Sequence, residues 1–93
     1  MTGTVRVRQG VRVSGRVQGV GFRAACRSEA LRHGVAGYAY NAADGSVEAA
    51  FEGTPEAVRA MLTWCAHGPP GAEVRAVEAT EEVAVGVSGF RIG

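Results

Sequence analysis

Residues 15–23 read Gly-Arg-Val-Gln-Gly-Val-Gly-Phe-Arg. Their types suit one kind of chemistry, the holding of an oxyanion. Glycines allow backbone conformations in which consecutive N–H groups point into one concavity, and such a nest binds anions. A helix beginning near Phe22 adds unsatisfied N–H groups and the positive end of its dipole. Arg23 then falls in the first helical turn, where a cation opposes the dipole by ~0.3–1 kcal/mol. An anion between the guanidinium and the N–H groups removes that conflict. A planar guanidinium also grips phosphate through two parallel hydrogen bonds. A compact turn with a solvated arginine accounts for the glycines equally well; the position of Arg23 favours the cradle. The glycine spacing is not that of a dinucleotide-binding loop.

Asn41 is the second residue of chemical interest. Asparagine at a strand end commonly serves only its own turn. Its amide can also accept from and donate to a water molecule, and so orient it.

Composition narrows what else is available. The chain has 93 residues and no lysine; all ten basic residues are arginines, and Asp44 is the lone aspartate beside eight glutamates. A Schiff-base lysine, a phosphate-loop lysine and a pair of catalytic aspartates are excluded. His33, His67, Cys26 and Cys65 show no ligand-like spacing, so neither metal nor cofactor is expected. The net charge of +1 gives no field to attract nucleic acid or acidic lipid. No apolar run approaches the ~20 residues of a membrane span. Residues 1–8 hold no apolar signal core, so a reducing cytoplasm with free thiols is expected.

The elements that must position these groups follow from periodicity. Valines 5, 7, 11 and 13 alternate with Arg6, Arg8 and Arg12, a strand pattern in which Gly10 marks a candidate bulge. Phe22, Cys26, Ala30 and His33 recur at helical spacing, and Gly34 supplies a left-handed stop. Residues 35–41 and 46–52 read as a hairpin around the Asp44-Gly45 turn. There Val47, Ala49 and Phe51 face inward, and Glu48 and Glu52 face solvent. Thr54-Pro55-Glu56 opens a second helix, continued by Val58, Met61, Leu62 and Cys65. Trp64 is expected to contact the sheet. Residues 74–82 form a fourth strand with solvated glutamates, and 90–92 a short edge strand.

The order β-α-β-β-α-β, with a short C-terminal strand, predicts one domain over residues 1–93. Its class is α+β, a ferredoxin-like two-layer sandwich on an antiparallel sheet. In that topology the first two strands run parallel, with one strand between them. The glycine loop and Asn41 then emerge at the same sheet edge, roughly 10 Å apart. A phosphate and a water molecule fit such a gap.

The stretch 15–23 resembles the glycine-loop signature of acylphosphatases. So do Gly37-Tyr38-Ala39-Tyr40-Asn41 with Asp44-Gly45-Ser46-Val47-Glu48, then Glu52-Gly53, Pro69-Pro70-Gly71-Ala72 and Phe90-Arg91-Ile92. The similarity covers nearly the whole chain at the family's usual length. It implies a metal-independent hydrolase of acyl phosphates with a small-molecule substrate and phosphate or sulfate as site ligand. Arg23 would bind phosphate with the backbone N–H groups of Val17, Gln18, Gly19, Val20, Gly21 and Phe22, and Asn41 would position the attacking water. A cytoplasmic monomer that binds neither nucleic acid nor membrane is expected. Three departures stand out: Tyr38 where tryptophan is more frequent, Ala42 where some relatives carry threonine, and His33 where leucine is usual.

Two other readings follow from the fold. One is a non-catalytic RNA-binding module, which needs exposed aromatics on a basic sheet face. The other is an acylphosphatase-like domain serving a larger carbamoyl-transfer system, for which no transferase extension is present in these residues.

Overall fold

Alternation of valine and arginine builds the strand around which everything else is arranged. In a computed structural model, which describes residues 5–93, that strand is β1 (Val7–Arg16). Residues 1–4 of the expected leaderless N-terminus lie outside this range. The chain continues through α1 (Phe22–His33), β2 (Ala36–Asn41), β3 (Val47–Gly53), α2 (Pro55–Cys65), β4 (Glu73–Glu82) and β5 (Phe90–Ile92). The sheet order is β4-β1-β3-β2-β5. β3 pairs antiparallel with both β1 and β2, so β1 and β2 run parallel and end at one edge. This is the expected ferredoxin-like sandwich, with one addition. β5 pairs parallel to β2, which makes the whole sheet mixed.

The parallel pairing has a geometric cause. Residues 83–89 carry the chain from the β4 edge to the opposite edge. That crosses four strand spacings, roughly 19 Å, and eight Cα–Cα steps reach at most about 27 Å. The strap therefore has enough length to cross the end of the sheet with left-handed bends at Gly86 and Gly89, and β5 returns beside β2 in the same direction.

One face of the sheet packs on the helices. Val11, Val13, Ala39, Val47, Ala49 and Phe51 meet Phe22, Cys26 and Ala30 of α1 and Val58, Met61 and Cys65 of α2. Gly34 closes α1 in the left-handed conformation, and Val35 donates to the Ala30 carbonyl, so β2 begins one residue later than its apolar pattern suggests. Thr54 caps α2 by accepting from the Ala57 N–H at 3.1 Å. Cys26 and Cys65 are free and buried, and the neighbouring Cys65 together with burial pushes the Cys26 thiol up. No helix among the described residues is long and apolar enough to cross a membrane.

Several local expectations are corrected. β1 continues through Ser14, Gly15 and Arg16, so the loop proper is residues 17–21. The strand irregularity falls at Ser14/Gly15, whereas Gly10 stays in register. A β-carbon at Gly10 would meet only the end of the flexible Glu82 side chain. Trp64 packs on Phe22 at a 5.1 Å centroid separation, bracing the start of α1.

Glu52 is the largest correction. It is fully buried, because the strap crosses over it. The Val85 and Gly86 N–H groups donate to it at 3.0 and 2.7 Å, and Arg6 and Arg8 donate at 3.1 and 3.2 Å. Alternation along β3 correctly places Glu52 away from the helices, but it carries no information about a strap from a distant segment.

These donors, the Val85 N–H first among them, outweigh burial and hold the carboxyl at about 2, well below its ordinary 4.5. A depressed folded value contributes stability that is present above 4.5 and lost as pH falls toward 2. The wild type should thus lose urea resistance across that window, and Glu52→Gln should show a flatter profile. Glu52→Ala is expected to cost about 3 kcal/mol, because it leaves the Val85 and Gly86 N–H groups without their acceptor and removes the carboxylate that Arg6 and Arg8 share. Urea midpoints from pH 2 to 7 check both; equal pH slopes in wild type and Glu52→Gln would disprove the latch.

Candidate active site

The loop after β1 must turn a strand into a helix within residues 17–21. Gly19 and Gly21 make this possible by adopting φ of 76°. A β-carbon at either would meet nothing within 4 Å, so the requirement is conformational, not spatial. Gly21 is the N-cap of α1, and no side chain caps the helix. The first intrahelical bond runs from Ala25 N to Gly21 O, which leaves the N–H groups of Phe22, Arg23 and Ala24 without helical partners. The first turn also has no acidic residue. A positive helix end therefore opens beside the guanidinium of Arg23.

Gln18 fixes the loop in place. Its amide nitrogen donates to the Ala42 carbonyl at 2.8 Å and to the Ser46 carbonyl at 3.0 Å. The loop is thereby bound to the hairpin turn that follows Asn41. That turn is itself closed by Ala42 N to Ser46 O at 2.8 Å. The Asp44 carboxylate accepts from the Ser46 hydroxyl, which leads in holding its carboxyl below the usual range.

The two expected catalytic side chains come together. A cavity of about 150 Å³ is lined by Val17, Gly19, Gly21, Phe22, Arg23, Ala24, Asn41 and Ile92. Of the residues singled out from sequence, Gln18 and Val20 are not in this lining. Gln18 serves as the clamp just described, and Val20 packs against the core. Ala24 and Ile92 were not anticipated as lining residues. Ala24 follows directly from the first-turn argument, but Ile92 arrives only because β5 pairs with β2. Arg23 Nη1 donates to the main-chain oxygen of Gly93, so the same C-terminal segment steadies the guanidinium.

His33 stands apart. It sits in the last turn of α1 and contacts Glu29 at 3.4 Å. Arg6, Arg8 and Arg12 are engaged with carboxylates: Arg6 and Arg8 with Glu52, Arg8 with Glu82, and Arg12 with Asp44 and Glu48.

An uncapped helix start, an arginine and a strand-end amide around one small cavity suit a tetrahedral anion and a water. Comparisons with known proteins identify the family. The acylphosphatase family model matches residues 9–92. An acylphosphatase from Synechococcus sp. (strain JA-2-3B'a(2-13)) is 53% identical over 87 residues, covering 94% of this chain and 93% of the relative. One from Gloeobacter violaceus is 49% identical over 86 residues, covering 92% of each. The solved structure of an acylphosphatase from Coxiella burnetii superposes with a TM-score of 0.91 at 34% identity, covering 95% of this chain and 93% of that one. The chain belongs to the acylphosphatase family, enzymes that hydrolyse acyl phosphates to a carboxylate and inorganic phosphate.

Proposed function

We propose that Arg23 and the backbone N–H groups of residues 17–23 hold the substrate's phosphoryl group, and that Asn41 orients the attacking water. The observation that carries this reading is the cavity that Arg23, Asn41 and the uncapped start of α1 share. The water oxygen bonds to phosphorus, the bond from phosphorus to the acyl oxygen breaks, and the carboxylate departs with the electron pair. A phosphoryl oxygen takes the water's proton, so no separate base is needed. An acyl phosphate is a mixed anhydride with a good leaving group. The protein's contribution is placement and charge stabilisation, which a guanidinium and fixed N–H dipoles supply.

This chemistry asks for no metal and no cofactor. The expected result is benzoyl phosphate hydrolysis at the same rate with and without a chelator. A rate that collapses in chelator and returns with added metal would remove metal independence, and absence of turnover would remove the site assignment.

We further propose that residues 1–93 work as one domain, a cytoplasmic monomer acting on a small molecule, with phosphate or sulfate able to occupy the site. The RNA-binding alternative gains two exposed tyrosines, Tyr38 and Tyr40, on the open sheet face. It lacks the cationic footprint, since Arg8 and Arg12 on that face are matched by Glu48, Glu52 and Glu82.

A further inference from the structure

The face of the sheet turned away from the helices carries a space of its own, separate from the Arg23 cavity. Alternation along β2 sends Ala39 into the core and leaves Tyr38 and Tyr40 on the open face. The parallel register of β5 sets Arg91 directly opposite Tyr38. These three residues border a groove of about 650 Å³, and the strap at Val87 and Ser88 borders it as well. That volume lies within the roughly 300–1,000 Å³ of small-molecule sites.

The groove is held in shape by hydrogen bonds already in place. Glu52 fixes the strap through the Val85 and Gly86 N–H groups. Arg6 Nη2 donates to the Val87 carbonyl at 3.1 Å, and Gly37 N donates to the Gly89 carbonyl at 3.0 Å. The Tyr38 and Tyr40 rings lie 5.8 Å apart with 30° between their planes. Side by side they offer a flat surface longer than one ring.

Charge decides what kind of molecule suits such a surface. The charged residues of the lining are Arg8 and Arg91, and no carboxylate is among them. Arg8 is already engaged: it pairs with Glu52 at 3.2 Å and with Glu82 at 2.8 Å, and its guanidinium carbon lies 5.9 Å from the Tyr38 ring centroid. Arg91 is exposed and forms no ion pair among the described residues. An unengaged guanidinium beside an aromatic surface fits one anionic group, gripped by two hydrogen bonds, on a molecule whose flat body stacks on the tyrosines. One such cation is too few for a nucleic-acid strand, whose binding rests on a run of phosphate contacts. A single ring covers one tyrosine, whereas a fused pair of rings spans both.

We propose that this groove binds a purine nucleoside monophosphate, with its base stacked on Tyr38 and Tyr40 and its phosphate on Arg91. The site does not depend on the role given to Arg23.

The chain has two tyrosines, Tyr38 and Tyr40, so NMR signals from isotope-labelled tyrosine rings report the groove directly. AMP is the probe. It should shift both ring signals saturably, with a Kd of about 1 mM or tighter, and it should do so equally in the wild type and in Arg23→Ala. Adenosine, which lacks the phosphate, should bind about tenfold more weakly than AMP. UMP, with its single ring, should bind about threefold more weakly. Arg91→Ala should weaken AMP about tenfold and leave adenosine unchanged, which separates phosphate recognition from general damage to the groove. Ring signals unmoved by about 10 mM AMP overturn the proposal, and so does an AMP affinity that Arg91→Ala leaves unchanged. A shift that vanishes in Arg23→Ala overturns it too, by placing the nucleotide in the catalytic cavity. An oligoadenylate that binds about a hundredfold tighter than AMP, with a steep salt dependence, replaces it with a nucleic-acid surface.

Discussion

Arg23→Ala lowers kcat/KM for benzoyl phosphate by about 10³-fold or more, the scale on which an arginine stabilises a transferring phosphoryl group. Arg23→Lys recovers little of this, because a point charge on a flexible stem cannot reproduce two parallel hydrogen bonds. The loss should appear also in ground-state binding, with inorganic phosphate becoming a much weaker competitive inhibitor. The fold should be nearly indifferent. Arg23 sits in the first turn of α1, where its charge opposes the helix dipole, and the bond it forfeits is the one to the Gly93 oxygen. Removing the charge regains ~0.3–1 kcal/mol, of the same order as the lost bond. A wild-type urea midpoint together with collapsed activity is the expected pair of results. Retained activity in Arg23→Ala would dismiss the residue from the reaction, and a collapse of both stability and activity would mark it as structural.

Asn41→Ala should act differently. A group that orients water contributes in the transition state more than in substrate binding, so kcat falls by about 10²–10³-fold, with KM changed far less. Asn41 is exposed at the end of β2, where it pairs with Val47, so the fold does not depend on its amide. Asn41→Asp keeps the shape but puts a negative charge beside the bound phosphate, and it should raise KM as well. Steady-state kinetics on benzoyl phosphate separate the two parameters. An alanine variant that raises KM while kcat stands would move Asn41 from water positioning to substrate binding.

Much of this site was legible in the chain because its parts are local. The glycines at 19 and 21, the uncapped helix start and Arg23 lie within five residues, and each has a direct physical reading. Asn41 needed one further step, the topology, which the alternation of patterns supplied. What could not be read was whatever depends on the strap. Glu52 alternates correctly away from the helices, yet its burial is decided by Val85 and Gly86, more than thirty residues later. Ile92 belongs to a three-residue strand whose partner and direction are set by how far residues 83–89 must reach. Trp64 shows the same limit on a smaller scale: its helical phase marks an inward side chain but does not name Phe22 as a neighbour.

The Gln18 clamp bears on where this chain can be cut or extended. The turn at residues 42–45 is mostly exposed, and exposed loop tips ordinarily tolerate inserted peptides. Here the amide of one side chain grips the carbonyls of Ala42 and Ser46, which flank that turn. A peptide spliced between them would spread the two acceptors and drag residues 17–21 with them. In this protein an accessible hairpin tip is thus mechanically part of the glycine loop, and solvent exposure is a poor guide to where the chain is expendable.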